Sequence, residues 1–297
     1  MLSSSSWLHL RIPFSYFLLP VYLFTLSVSP NFTESGILWV FIILHLFLYP
    51  ASNGYNSYFD KDEQSIGGLK NPPPVEKGLY YLALTFDVVA ILLSVIKVSI
   101  TFAVLVFIYG LVSKAYSHPS IRLKKRPITG WLTIGVFQGL FTFVMCYAGI
   151  NNYTIAQSLK TGILIPGMLT SLMLLASYPM TQIYQHEEDR KRGDNTLSLV
   201  LGIRSTFYFV GTFFSVTTLA FLWYFSTYYS MGYAYAFLIA MTPVVVYFLT
   251  WFIFTMRNEK HASYGWMMGL NMISATCLNV FFIYLFLKTT QLLQAFQ

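Results

Sequence analysis

Two clusters of acidic and amide side chains follow apolar runs and could together hold a metal ion. The first, NGYNSYFDKDEQ, covers 53–64 and follows the run ILWVFIILHLFLYP with two residues between them. Asn53, Asn56, Asp60 and Gln64 recur in it at helical spacing, which would place them on one helix face. Carboxylate and amide oxygens suit a hard cation such as Mg²⁺, whose other ligands are waters or phosphate oxygens. For this cluster alone, a solvated and polar-capped helix end explains the pattern about equally well.

The second cluster, YQHEEDRKRGDNTLS, covers 184–198 and favours the metal interpretation. Gln185 and Asp189 are again four residues apart, Glu188 lies on the neighbouring row, and three cations follow at 190–192. If both clusters end helices of the same orientation, they can face each other across a cavity. Acids gathered in this way repel each other, so we expect cations between them.

A third loop, YSHPSIRLKKRPITG, has no acids and carries Arg122, Lys124, Lys125 and Arg126. Membrane proteins concentrate basic residues in cytoplasmic loops in any case. Taken with the two acidic clusters, however, this loop completes a set that could hold a diphosphate. The aromatic content of 19% would suit the stabilisation of a carbocation by ring faces, although ordinary membrane packing accounts for most of it.

The composition places all of these residues in a membrane protein. Of 297 residues, 56% are hydrophobic and 10% are charged, with a mean hydropathy of +0.60, whereas a soluble domain carries roughly 25% charged residues. No polar stretch is long enough for a separate soluble domain, so we expect one transmembrane domain over 1–297 and no nucleic-acid partner. Cys146 and Cys277 lie in apolar runs and are interpreted as packing thiols.

The apolar runs predict an all-α bundle, since each span needs ~20 mostly apolar residues and must satisfy its own backbone. Nine windows fit this requirement: 12–28, 37–55, 78–98, 100–116, 131–150, 162–184, 206–228, 232–256 and 266–286.

The basic residues predict the orientation of this bundle. With nine spans, fifteen Lys and Arg residues lie on the side of the N-terminus and the acidic clusters, and three lie on the other side: Lys97, Lys160 and Lys288. The positive-inside rule then makes the N-terminus cytoplasmic and puts the C-terminus outside. We expect a protein of the bacterial inner membrane with its site facing the cytoplasm.

The motifs resemble those of the UbiA superfamily of intramembrane prenyltransferases, such as 4-hydroxybenzoate polyprenyltransferase. That family has nine helices, a motif N-D-x-x-D-x-x-x-D after the second, and a motif D-x-x-x-D with a basic pair, Gly and Thr-Leu after the sixth. This chain reads NSYFDKDEQ and QHEEDRKRGDNTL at these two places. KNPPPVEKG and YSHPSIRLKKRP resemble the family's proline-rich entry to the third helix and its basic loop after the fourth.

The chain departs from the family pattern at three carboxylates. Asn56, Asp60 and Asp189 match, and the positions without the usual aspartate are Ser57, Gln64 and Gln185. Acids one or two positions away could replace the missing charge: Asp62, Glu63, Glu187 and Glu188.

The resemblance implies Mg²⁺-dependent ionisation of an allylic isoprenyl diphosphate and transfer of its prenyl group to an apolar or aromatic acceptor in the bilayer. Asp60 and Asp189 are the implied catalytic residues. The expected metal ligands are Asn56, Asp60, Gln64, Gln185, Glu188 and Asp189. The expected diphosphate-binding residues are Lys61, Arg122, Lys124, Arg126, Arg190 and Lys191. His45, Asn53 and Tyr116 are expected in the acceptor cavity.

Two other functions remain open at this stage. A secondary transporter would hold its ions and substrate near the middle of the membrane, where only Asp87 is charged, ~14 Å into the third run. A role for Asp87 in acceptor binding or a polar pair with another helix would fit, whereas Lys97 is ten residues away and a poor partner. A family member that has lost catalysis and binds a lipid is the second alternative, because of the missing aspartates.

Overall fold

The computed structural model describes residues 3–290. Within this range nine helices are long and apolar enough to cross a membrane. They are α1 (Ser4–Ser27), α2 (Glu34–Asp60), α3 (Gly78–Lys97), α4 (Ile100–Ser117), α5 (Pro127–Asn151), α6 (Thr161–Gln182), α7 (Ile203–Tyr228), α8 (Met231–Arg257) and α9 (Tyr264–Thr289). They coincide with the nine predicted windows, and residues 3–290 contain no β-strand, so the all-α prediction is confirmed.

Helix α1 begins at Ser4, eight residues before the predicted start, and it contains a break at Arg11. A short helical turn, Ser4–His9, precedes Arg11, whose backbone is left-handed at φ 48°. A 3₁₀ segment, Ile12–Leu18, then leads into the regular helix Leu19–Ser27. The left-handed conformation is costly for a residue with a side chain, and at Arg11 it allows the guanidinium to reach the interior of the bundle.

The two acidic motifs lie where helices end. Asp60 is the last residue of α2, because Lys61 adopts a left-handed conformation at φ 51°. The predicted helical face therefore stops at Asp60 and does not include Gln64. After α6, a short helix His186–Arg192 carries the second motif and ends at Gly193, which is also left-handed at φ 71°. Glycine adopts this conformation without a steric penalty.

Aromatic packing closes the bundle between the first and last helices. Phe24 of α1 stacks on Phe282 of α9 with ring centroids 4.6 Å apart, and both side chains are fully buried. Helices α5 and α6 approach still more closely, because Gly139 leaves no side chain between them. A Cβ at Gly139 would lie 2.5 Å from the Cα of Ser171. Such close backbone contact at small residues is typical of membrane bundles.

Asp87 of α3 forms an ion pair with Lys114 in the last turn of α4. Asp87 is buried, and the Lys114 ammonium also lies 5.2 Å from the ring centre of Tyr55. Of the roles considered for Asp87, a polar pair with another helix is the one that the structure shows. Lys114, counted with the loop cations for the orientation, lies within the span.

Replacing Lys114 with Met should destabilise the protein by about 3 kcal/mol, because it leaves the Asp87 carboxylate buried and unpaired. Thermal unfolding in detergent measures the effect, and the exposed Lys77→Met is the control. The double variant Lys114→Met/Asp87→Asn should recover most of the stability. If Lys114→Met alone unfolds at the wild-type temperature, the pair does not stabilise the packing of α3 on α4.

Candidate functional site

The two acidic motifs and the basic loop line one cavity of about 260 Å³, which we call the motif cavity. It lies where α2 and α6 end, and it is also walled by α1, α4 and α5. The sequence-predicted residues among its walls are Asn53, Asn56, Asp60, Tyr116, Lys124, Gln185 and Asp189. The expectation that the two motifs face each other is therefore met in the geometry.

Asp60 is buried and bound by two cations of the basic loop. Lys124 forms an ion pair with its Oδ2, and the Nη2 of Arg122 lies 3.2 Å from its Oδ1. Lys124 is itself buried, which is unusual for lysine and is compensated here by the carboxylate. The basic loop thus contacts the first motif directly, as the charges of the two segments require.

Asp189 is the corresponding carboxylate of the second motif. Its Oδ1 accepts a hydrogen bond of 2.9 Å from the Arg192 Nη2, and its Oδ2 accepts one of 2.9 Å from the Thr196 hydroxyl. Burial raises the pKa of Asp189 to about 7, although the hydrogen bond from Thr196 acts in the opposite direction. A carboxyl with such a pKa is a common feature of functional sites.

Arg192 is the cation that joins the two motifs. Its guanidinium pairs with Asp62 of the first motif and with Asp189 and Asp194 of the second. Arg190 and Lys191, which were predicted to bind the diphosphate, are both exposed on the short helix. Helical spacing could have identified Arg192, because it is three residues after Asp189 and lies on the same face of the helix.

Asp194 is a further residue that the sequence analysis did not assign to the site. It is 1% exposed, and Arg122 donates to both of its oxygens at 2.7 and 2.8 Å. Burial works against its ionisation, but Arg122, Lys124 and Arg192 together lower the pKa of Asp194. Asp62 and Asp194 thus add two carboxylates to the cavity wall.

Arg11 is the third residue that was missed. It is buried against Phe14 and donates to the backbone carbonyls of Gly67 at 3.0 Å and Asn53 at 3.2 Å. Its Nε finds no hydrogen-bond partner among the described residues. In the sequence Arg11 contributed only to the prediction of orientation, because nothing in the sequence reveals the break in α1 that brings it to the cavity.

Several predicted site residues lie outside the walls of the motif cavity: His45, Lys61, Gln64, Arg122, Arg126, Glu188, Arg190 and Lys191. Arg122 does not line the cavity itself, but it forms ion pairs with Asp60 and Asp194, which do. Glu188 is buried 3.9 Å from Arg192. His45 is a core histidine that stacks on Phe41 at 4.8 Å.

The chain matches the model of the UbiA prenyltransferase family over residues 17–286. It belongs to that family. The match covers most of the chain and includes both motifs, so the resemblance seen in the sequence is confirmed. With nine apolar helices among residues 3–290, this family member is an integral membrane protein.

Solved structures share the fold across nearly the whole chain. A UbiA homolog from Archaeoglobus fulgidus bound to Cd²⁺ has a TM-score of 0.66 at 14% identity, over 95% of this chain and 99% of that one. The same homolog bound to GPP and Mg²⁺ has a TM-score of 0.62 at 15% identity, with the same coverage. A digeranylgeranylglyceryl phosphate synthase structure has a TM-score of 0.60 at 17% identity, over 96% and 99%. No curated protein sequence matches the chain.

The motif cavity of this UbiA family member has the donor types that Mg²⁺ prefers. Carboxylates of Asp60 and Asp189 and amides of Asn56 and Gln185 all line it. Within residues 3–290 no three His, Cys, Asp or Glu side chains are already grouped for a metal. The carboxylates of Asp60 and Asp189 are instead held by Lys or Arg. The donor set fits a divalent ion, provided that the carboxylates exchange these partners for it.

Divalent-ion affinity should rise with pH in this protein. Because the raised pKa of Asp189 favours its protonated form below about pH 7, protons compete with the ion there, and affinity should approach a tenfold gain per pH unit until about pH 7. The same raised pKa means that Asp189 stabilises the fold at low pH and that this contribution is lost as the pH rises to about 7.

Tb³⁺ or Mg²⁺ binding, titrated at several pH values between about 5.5 and 8.5, measures this dependence. Asp189→Asn should bind more weakly and lose most of the slope, whereas Glu63→Gln, an exposed neighbour of the first motif, should keep it. An unchanged slope in Asp189→Asn would assign the titration to another group.

Proposed function

We propose that the protein transfers a prenyl group from an allylic isoprenoid diphosphate to a membrane-associated aromatic acceptor, with Mg²⁺ as cofactor. The observation that carries the proposal is the convergence of two carboxylate motifs and a basic loop on one cavity. Structures of a relative with the same fold were obtained with GPP and Mg²⁺ and with DMAPP and Mg²⁺. Membership of the prenyltransferase family supports the same reaction class.

In this proposal the cavity walls bind the diphosphate and its metal. Asp60, Asp189, Asn56 and Gln185 would hold Mg²⁺, which neutralises charge on the leaving group when bound. Lys124 and Arg192, which line the cavity, would donate hydrogen bonds to phosphate oxygens. Asp60 and Asp189 would be the catalytic residues, because their charges would hold the metal in the cavity.

The transfer needs no covalent bond to the protein. The C1–O bond of the allylic diphosphate breaks, and its electron pair leaves with the diphosphate. The acceptor's nucleophilic atom forms a new bond to C1, and its proton passes to the released diphosphate. The allylic cation would be shielded from water by the aromatic walls, among them Phe14, Tyr109 and Phe137.

We further propose that the motif cavity opens to the cytoplasm of a bacterial cell. The distribution of cations, fifteen to three, supports this side for the ends that carry the motifs. The N-terminus would lie on the same side and the C-terminus outside.

The two alternative functions receive less support. In a transporter the charged groups would lie near mid-membrane, but here they gather at one end of the bundle, and Asp87 is paired with Lys114. A lipid-binding member without catalysis was suggested by the missing aspartates. Asp62 and Asp194, however, restore carboxylates to the cavity wall.

Asp60→Asn should lower the rate of diphosphate release from labelled geranyl diphosphate by on the order of 100-fold, since it removes a charge worth several kcal/mol at the metal. The assay uses purified protein in detergent with Mg²⁺, and a parallel sample in EDTA should be inactive. Glu63→Gln, three residues away and exposed, is the matched control. Wild-type rates in Asp60→Asn, or full activity in EDTA, would exclude the proposed role of the metal.

Arg192→Gln should affect metal and diphosphate in opposite directions. Without Arg192, the carboxylates of both motifs lose a competing cation, so Mg²⁺ affinity in the absence of diphosphate should rise severalfold. Pyrophosphate affinity in the presence of Mg²⁺ should fall by about tenfold, because a charged hydrogen-bond donor is lost. Calorimetric titration measures both quantities.

Lys191→Gln is the matched control for Arg192→Gln, because it removes the neighbouring cation from the exposed face of the same helix. Equal effects of the two substitutions would mean that the short helix acts only through its net charge.

A further inference from the structure

A second pocket of about 170 Å³, which we call the deep pocket, adjoins the motif cavity. The two share part of their walls, including Ser52, Asn53, Tyr109, Gln138 and Tyr178. The deep pocket also reaches Tyr49, which is ~16 Å along α2 from Asp60. It therefore extends from the charged end of the bundle into its apolar interior.

The walls of the deep pocket carry polar groups but no charge. Among the described residues that line it, none is Asp, Glu, Lys, Arg or His. The amides of Gln138 and Asn271 and several hydroxyls interrupt an otherwise apolar surface. By contrast, the cations Arg11, Lys124 and Arg192 line only the motif cavity.

Three hydroxyls in these walls are buried without a hydrogen-bond partner among the described residues. They belong to Tyr49, which is 2% exposed, and to Ser52 and Ser274. They come from two helices, since Tyr49 and Ser52 lie on α2 and Ser274 on α9. Buried polar groups are rarely left unpaired, and each one calls for an explanation.

A prenyl chain alone does not explain these hydroxyls. Its hydrocarbon part has no atom that accepts or donates a hydrogen bond, so it would leave all three unpaired. An anionic group does not fit either, because burying a carboxylate or phosphate with no counter-charge carries a large free-energy cost. A neutral group with oxygen atoms satisfies both the hydroxyls and the absence of charge.

We propose that the deep pocket binds the ring of an uncharged acceptor with hydroxyl or carbonyl oxygens, such as a phenol or hydroquinone that carries no carboxylate or phosphate. This assignment rests on the proposed function, and it names the acceptor class for that reaction. The shared wall puts the acceptor next to the carbon that leaves the diphosphate in the motif cavity. The acceptor ring gains the bond to C1 and gives up one proton, which passes to the released diphosphate in the adjoining motif cavity.

Binding of two matched probes tests the proposal without any transfer reaction. Hydroquinone and 2,5-dihydroxybenzoate have the same ring and differ by one carboxylate. Calorimetric titration of the purified protein, without diphosphate, should give hydroquinone an affinity at least about tenfold higher. Equal or tighter binding of 2,5-dihydroxybenzoate, or no binding of hydroquinone, would overturn the proposal.

Tyr49→Phe removes one unpartnered hydroxyl and keeps the ring. It should weaken hydroquinone binding by severalfold, and thermal unfolding in detergent checks that the variant is folded. Tyr147→Phe, at another buried tyrosine that does not line the pocket, is the control and should leave binding unchanged. Unaltered binding in Tyr49→Phe would contradict the assignment of this hydroxyl to the acceptor.

Ser274→Arg places a cation in the wall of the deep pocket and should reverse the preference towards 2,5-dihydroxybenzoate. An unchanged preference in a folded variant would show that the probes bind elsewhere and would overturn the proposal.

Release of diphosphate from labelled geranyl diphosphate, measured on the same protein, distinguishes failure of the proposed acceptor class from failure of the proposed prenyl transfer. If release occurs and hydroquinone does not bind, only the acceptor class is wrong. If release does not occur, the proposed function itself fails.

Discussion

The site depends on the neutralisation of four buried carboxylates by cations of the basic loop and of the second motif. Asp60 and Asp194 are joined through Arg122, while Asp62 and Asp189 are joined through Arg192. Without these cations the carboxylates would repel each other at the ends of their helices. The ion pairs therefore hold two motifs, more than a hundred residues apart in sequence, in one cavity. They also keep the carboxylate oxygens in the cavity, where a divalent cation can replace Lys or Arg as their partner.

The fold could be predicted almost completely from the sequence, because each membrane span is recognised from its own length and apolar composition. A stretch of ~20 apolar residues must become a helix in a bilayer, whatever its neighbours are. The span whose start was predicted furthest from the observed residue, α1, contains a left-handed residue that apolarity does not reveal. Gln64 was likewise assigned to the α2 face, although a left-handed residue at Lys61 ends that helix.

The site was less predictable, since its composition depends on which side chains turn inwards. Helical spacing brought Asn56, Asp60, Gln185 and Asp189 to the cavity correctly. The choice of Arg190 and Lys191 over Arg192 followed charge alone and ignored the face of the short helix. Arg11 and Asp194 could not be assigned, because they reach the cavity through a helix break and a turn.

The Asp87–Lys114 pair has a consequence for the insertion of the chain into the membrane. A single acid or lysine near the centre of a helix costs ~2.5–3.5 kcal/mol on insertion scales, although the cost falls towards the helix ends. Helices α3 and α4 are separated by only two residues, 98–99, so the two charges can meet before either helix contacts lipid. We therefore expect the translocon to pass α3 and α4 into the bilayer together, as one helical hairpin.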